Sequence, residues 1–194
     1  MLYIWVWWVV FLLHNCIKWV FYPLFGSNGL SCYTKAMSKK QKLKKTLVEQ
    51  ILDKAKIEHT GLAINALESN SLPEDISRSD IYKTLALIGD KTGPVIGILP
   101  LTEHLSEKKL AKVSGNKKVS MIPQKDLQKT TGYIHGANNP VGIWQNKKFP
   151  IFIDSIALEH DFIVCSAGEV GRSIKIAPKV LADFVHAQFV EIRE

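Results

Sequence analysis

Three stretches of this 194-residue chain carry residues that can do chemistry where a plain structural element would not need them. In Tyr82-Lys83-Thr84-Leu85 a lysine enters an apolar run, so its ammonium must reach water or find an anion. The second stretch runs from Gly132 through Tyr133, Ile134, His135, Gly136, Ala137, Asn138, Asn139, Pro140 and Val141 to Gly142. Its glycines let backbone N–H groups approach a ligand closely, which is how oxyanion and phosphate cradles are built. His135, next to Gly136, is placed to line a pocket. The third pairs an acid, Asp154 after Ile151-Phe152-Ile153, with a hydroxyl in Ser166-Ala167-Gly168. Each has a plainer reading: an edge-strand lysine, turn glycines, strand-end polar residues. Cys165 with His135 or His160 could form a nucleophile and base. A cysteine inside the apolar run Phe162 to Cys165 is more often packing. One thiol in this part of the chain cannot build a disulfide framework or a zinc site, so no metal is expected.

The elements that must position these residues can be read from periodicity and punctuation. Leu43, Leu47, Val48, Ile51, Leu52 and Ala55 recur at helical spacing within Gln41 to Lys56. Gly61 to Ser79 is polar and turn-rich and reads as a loop. Tyr82 to Ile88 and Pro94 to Leu99 read as strands joined by the turn Gly89 to Gly93. Ser106 can cap a helix over Glu107 to Val113 that Gly115 ends. Lys117 to Met121 is a short strand, and Pro123 opens a helix that stops before Gly132. Phe149 to Ile153, Phe162 to Cys165 and Ser173 to Ile176 are further strands. Pro178 starts a final helix that buries Val180, Leu181, Phe184, Val185 and Phe189. Strands do not alternate strictly with long helices, which disfavours a doubly wound sheet. The pattern predicts a single α/β (α+β) domain, a mixed sheet with helices packed around it.

Composition sets the limits of that domain. Four of the five tryptophans (Trp5, Trp7, Trp8, Trp19) lie near the start, and Lys18 and Lys35 are the only charged residues before Met37. All 18 acidic residues follow Met37, against 23 of the 25 Lys and Arg, so residues 37–194 carry a net charge of +5. A folded domain mixes charge and aromatics more evenly than residues 1–36 do. The working domain is therefore expected over 37–194, whose size suits one core. The stretch to Phe25 is long enough to span a bilayer, but it lacks a basic n-region and a cleavage site. The leading expectation is a start codon placed too early, because Met37-Ser38-Lys39-Lys40 reads like a cytosolic N-terminus. A membrane would be a partner only through that leader. The lysine clusters at 39–45 and at Lys108, Lys109, Lys112, Lys117 and Lys118 read as solvated faces, or as phosphate contacts if the partner is RNA.

Taken together, Tyr82-Lys83-Thr84-Leu85, Thr131-Gly132-Tyr133 through Gly136, Pro140-Val141-Gly142, Ile151 to Asp154 and Ser166-Ala167-Gly168 resemble the YbaK-type aminoacyl-tRNA deacylases. These are free-standing relatives of the prolyl-tRNA synthetase editing domain. The resemblance implies a strongly curved mixed sheet and a cytoplasmic trans-editing hydrolase that clears mischarged aminoacyl-tRNA, most typically Cys-tRNA(Pro). Its partners would be the acceptor end of tRNA(Pro) and, in some settings, prolyl-tRNA synthetase; no cofactor is implied. It assigns Lys83 to holding the substrate near the 3′-terminal adenosine, the Gly136 backbone to the aminoacyl carbonyl and Ser166 to positioning. Tyr82, Thr84, Tyr133, His135, Ala137, Pro140, Asp154 and Gly168 would complete the binding site.

Physical chemistry is compatible with this scheme. Aminoacyl esters are already activated, so positioning and oxyanion stabilisation suffice. In cysteine-specific members of the family the substrate's own thiol is thought to attack its ester, which fits the lack of an obvious nucleophile–base pair here. Two features depart from the family: Ala137 stands where relatives carry a second loop glycine, followed by Asn138-Asn139, and no tyrosine matches the one some relatives place before the lysine segment, Ile64 or Asn65 falling nearest. Both bear on amino-acid specificity more than on reaction class. The rival from another class is a non-catalytic module that binds an aminoacyl or nucleotide ligand without turnover.

Overall fold

The computed structural model describes residues 44–64 and 72–194. The hydrophobic leader, the boundary at Met37, the lysines at 39, 40 and 42, and Asn65 lie outside the described residues. No helix among the described residues is long and apolar enough to cross a membrane.

The first helix, α1 (Leu47–Lys54), is started by a reciprocal cap. Thr46 Oγ1 accepts from the Glu49 N–H (3.2 Å), and the Glu49 carboxylate accepts from the Thr46 N–H (2.7 Å). Strand β1 (Thr60–Leu62) follows; it lies in the stretch whose polarity suggested loop. The hairpin of β2 (Tyr82–Gly89) and β3 (Gly93–Pro100) forms where expected, with Gly89 opposite Gly93. Helix α2 spans Glu107–Val113 as predicted, although the Ser106 side chain makes no capping bond. Next come β4 (Val119–Met121) and α3 (Gln124–Thr131), which Gly132 ends at φ +87°. Helix α4 (Pro140–Lys147) occupies sequence read as loop. Then follow β5 (Ile151–Asp154), a 3₁₀ turn over Ser155–Glu159, β6 (Ile163–Ser166), β7 (Ser173–Ile176) and α5 (Pro178–Val185). The predicted final helix stops short of Phe189: His186 turns left-handed (φ 51°), and Gln188–Val190 form β8.

The strands make two sheets. One is β1-β7-β6, antiparallel throughout. The other runs β4-β2-β3-β5-β8, antiparallel across its first three strands and parallel from β3 to β8. The mixed α/β expectation holds, with the strands divided between two sheets. They are joined at one point, a parallel bridge between Ile81 and Val164. The main core lies between the sheets and helices α1, α4 and α5 and includes Leu52, Ile98, Ile153, Ile163 and Leu181. A second cluster packs α2 against the other face of the larger sheet through Leu87, Leu110 and Phe152.

Two buried carboxylates tie these layers. Glu49 is gripped by both branches of its capping role and by Arg172, whose Nη2 lies 2.8 and 3.1 Å from its oxygens. That pair fastens α1 to the turn between β6 and β7. Asp154 is fully buried. It accepts from the N–H of Ile156 (3.0 Å), Ile192 (2.9 Å) and Arg193 (3.1 Å), with Arg193 Nε at 3.6 Å. It therefore locks the chain that follows the last strand, β8, to the end of β5. Removing such an acceptor strands several buried donors. Asp154→Ala is expected to lower unfolding stability by about 3 kcal/mol, seen as a drop in the urea midpoint; an unchanged midpoint would show that Asp154 is not a structural clamp.

Candidate active site

The strands dictate where an opening must lie. Strand β2 is paired along its whole length with β3, but β4 covers its other edge only from Leu87 to Gly89. The Ile122 N–H extends that cover to the Ala86 carbonyl (3.1 Å). At the opposite end of β2 stands the lone bridge to β6. Between these two points the outer edge of β2 has no ladder partner, and a cleft of about 470 Å³ occupies the gap. Because the bridge is parallel, two residues further along each strand bring up Lys83 and Ser166, and both line the cleft.

Lys83 is held by the segment that follows β3. Its ammonium donates to the carbonyls of Leu101 (3.1 Å) and Glu103 (2.5 Å). An ammonium has three donors, so one remains for a ligand. Burial holds the Lys83 pKa below the usual lysine range, against the opposing field of the Glu103 carboxylate. Ser166 ends β6, and its Oγ accepts from the Gly168 N–H (3.2 Å), which leaves the hydroxyl proton to donate.

The facing wall is the glycine loop. Gly136 sits at φ +82°, a conformation L side chains rarely adopt, and a Cβ there would meet open space. Its N–H has no partner among the described residues, and Gly136 itself lines the cleft. The loop is braced from behind. Thr131 is fully buried; its hydroxyl donates to Asn138 Oδ1 (2.9 Å) and accepts from the Tyr133 N–H (3.1 Å). Asn139 caps α4 by accepting from the Gly142 N–H (2.6 Å) and returns a bond to the Ala137 carbonyl (3.3 Å). The two asparagines that depart from the family pattern are thus the loop's fasteners.

Of the residues expected at the site, the structure gathers Tyr82, Lys83, Thr84, His135, Gly136 and Ser166 around one cleft. Ala137 and Pro140 are buried behind the wall. Tyr133 fills the space left by two glycines: a Cβ on Gly142 would strike its hydroxyl, and one on Gly168 would meet its ring at 3.3 Å. Asp154 does not belong here, since its oxygens are spent on the backbone clamp. Cys165 is buried in the main core with its thiol pushed up to about 12 by desolvation, and it does not line the cleft. His160 is bound to Asp80 (2.9 Å) and stacks edge-on against Tyr82. The nucleophile–base alternative therefore lacks its nucleophile: His135 lines the cleft, but the thiol does not reach it. Sequence reasoning passed over Asn138, Gln124 and Leu101, which also line the cleft; the asparagine was visible in the motif, but only its fold neighbours show what it fastens. No cluster of His, Cys, Asp and Glu able to hold a metal occurs among the described residues.

The aminoacyl-tRNA editing domain family profile matches residues 71–184. A protein of Enterococcus faecalis, EbsC, provisionally named a Cys-tRNA(Pro)/Cys-tRNA(Cys) deacylase, is 38% identical over 162 residues, covering 80% of this chain and 98% of that protein. A crystal structure provisionally described as a trans-editing enzyme for prolyl tRNA synthetase superposes with a TM-score of 0.65 at 19% identity, over 76% of this chain and 94% of the other. A hypothetical protein of known structure gives 0.68 at 18% identity, over 76% and 99%. These two share the fold.

The depressed Lys83 pKa can be checked directly. Heteronuclear NMR of the lysine side chains across alkaline pH should show Lys83 losing its proton before the exposed lysines. In the window between that midpoint and the ordinary one the unfolded chain binds more protons than the folded one, so Lys83 makes stability rise with pH there. A midpoint among those of the exposed lysines would contradict the burial argument.

Proposed function

Because the chain belongs to the aminoacyl-tRNA editing domain family, we propose that its cleft hydrolyses mischarged aminoacyl-tRNA, Cys-tRNA(Pro) above all, as a trans-editing enzyme. The observation that carries the reading is a cleft that combines one tethered ammonium, one free backbone amide and one hydroxyl, with no hydrogen-bonded nucleophile–base pair among the described residues that line it. An activated ester needs orientation and charge stabilisation more than it needs an enzymic nucleophile.

The roles follow from donor and acceptor chemistry. Lys83 keeps one N–H for the 3′-terminal nucleoside or its leaving oxygen. Gly136 N–H meets the aminoacyl carbonyl as it becomes an oxyanion. Ser166 donates its proton to the ester region while Gly168 fixes its lone pair. With cysteine as the amino acid, the substrate sulfur bonds to its own carbonyl carbon, the carbon–oxygen bond to the ribose breaks and the 3′-hydroxyl takes the proton. Water then opens the resulting thioester to free cysteine. This division of labour explains how a cleft without a thiol or imidazole pair of its own can select cysteine. Contacts with one small side chain discriminate by only about 1–3 kcal/mol, whereas an alanyl ester cannot take this route at all. The acceptor end of tRNA(Pro) is the partner, with prolyl-tRNA synthetase as a supplier of the mischarged substrate, and the compartment is the cytoplasm. The domain is taken as 37–194.

A deacylation panel tests the proposal. Purified protein should clear Cys-tRNA(Pro), with Ala-tRNA(Pro) at least tenfold slower and Pro-tRNA(Pro) spared. Lys83→Ala should lose about 100-fold in kcat/KM, in keeping with the loss of one charged stabilising group in a partly buried site. Equal rates on cysteinyl and alanyl substrates would sink the thiol route. Binding of charged tRNA without turnover of any substrate would favour the non-catalytic module.

A further inference from the structure

Thr84 is the buried group that the scheme above leaves without a task. Its hydroxyl is shielded from solvent and has no hydrogen-bond partner among the described residues, an arrangement that costs stability unless a ligand completes it. Thr84 also lines the cleft, between Lys83 and Leu85 in sequence and on the same strand face as Tyr82 and Ala86. Tyr82 has an unpartnered hydroxyl too. That phenol packs against His160 and lies in the field of Asp154, Asp80, Arg193 and Glu159, and burial among these groups raises its pKa. None of the four lines the cleft.

The backbone of Thr84 adds a second, independent observation. The Ile81 carbonyl accepts from Leu101 N–H on the β3 side, whereas the Ala86 carbonyl accepts from Ile122 N–H on the opposite side. Backbone groups of alternate residues in a strand face the same edge. Thr84, two residues before Ala86, therefore turns its N–H and carbonyl to the outer edge, in the interval where β2 has no ladder partner. One residue thus offers the cleft a hydroxyl oxygen and a main-chain carbonyl, two neutral acceptors.

An aminoacyl ester carries an amine that needs acceptors. No carboxylate lines this cleft among the described residues, and the charged group nearest Thr84 in sequence there, Lys83, is a cation. Building on the deacylase reading, we propose that Thr84 is the residue that receives the α-amino group of the aminoacyl substrate, through its Oγ1 and its edge carbonyl. The amine is then anchored on β2 while the carbonyl faces the Gly136 amide across the cleft, so the two ends of a one-residue main-chain fragment are held by opposite walls. The recognised feature is one that every α-amino acid shares. Thr84 orients the ester and leaves the choice of side chain to the chemistry of the thiol.

The test is a cycle between enzyme and substrate. Wild-type protein, Thr84→Val and Thr84→Ser are assayed on Cys-tRNA(Pro) and on the same tRNA acetylated at the α-amine while its thiol is masked as a mixed disulfide, the thiol then being freed by reduction before the assay. Thr84→Val should lower kcat/KM on the native substrate about tenfold, mainly through KM, and Thr84→Ser should restore most of it. On the acetylated substrate, wild type and Thr84→Val should be equally slow, because the amine contact is already gone. If Thr84→Val fails to give a wild-type thermal transition, Thr84→Ala carries the same cycle. A Thr84 variant that loses as much on the blocked substrate as on the native one, or nothing on either, overturns the assignment. Wild-type protein inactive on native Cys-tRNA(Pro) would instead overturn the deacylase reading itself.

Discussion

An eight-residue strand has more hydrogen-bonding edge than its outer neighbours in this fold can cover. Strand β2 meets β3 along its full length, but on the other side β4 reaches only three residues and β6 touches at one bridge. Unpaired backbone groups are costly when shut away from water, so such a gap must be solvated or occupied. Here it is a cleft, and the residues that answer for it are those brought up by the two partial neighbours. The parallel bridge sets Ser166 level with Lys83, and the end of β4 leads directly into α3 and the glycine loop. The site is what remains where two sheets meet at a single bridge.

Keeping that gap open requires rigid walls. On one side, Thr131 and Asn139 hold the glycine loop by side-chain bonds to its backbone, Thr131 also donates to the Asn138 side chain, and the Tyr133 ring fills the room that Gly142 and Gly168 leave. On the other, the Arg172–Glu49 pair ties the turn after Ser166 to the cap of α1. These are interior contacts, the kind that fix position instead of adding binding energy. A fold that placed the same cleft-lining groups on free loops would lose the registration on which orientation depends.

Much of this was legible in the sequence, and the failures have specific causes. The β2–β3 hairpin, α2 and β7 were readable because alternation, flanking glycines and helix boundaries agree there. Helix α4 was missed although Asn139 before Pro140 is a sound start signal, because Gly142 and the preceding glycines made the whole run look like loop. Phe189 continued the apolar spacing of α5, and only the left-handed turn at His186 reveals that it belongs to a strand. The division into two sheets depends on which edges meet, which local patterning does not encode. Asp154 shows the same limit in the site. A strand-end acid looks catalytic until its partners are found 38 and 39 residues further along the chain.

The tethering of Lys83 has a consequence of its own. A lysine side chain at a surface explores many rotamers, and fixing it costs about 1.5–2 kcal/mol of conformational entropy. The carbonyls of Leu101 and Glu103 do that fixing when the protein folds. A ligand entering the cleft therefore meets a cation already stilled, and its affinity is not reduced by the ordering of a four-carbon stem. A lysine of equal charge at the same strand position, free to swing, would present the same field on average and bind more weakly. Two main-chain oxygens beyond the end of a strand thus act as a splint, and they do so through backbone atoms that no side-chain substitution at positions 101 or 103 removes.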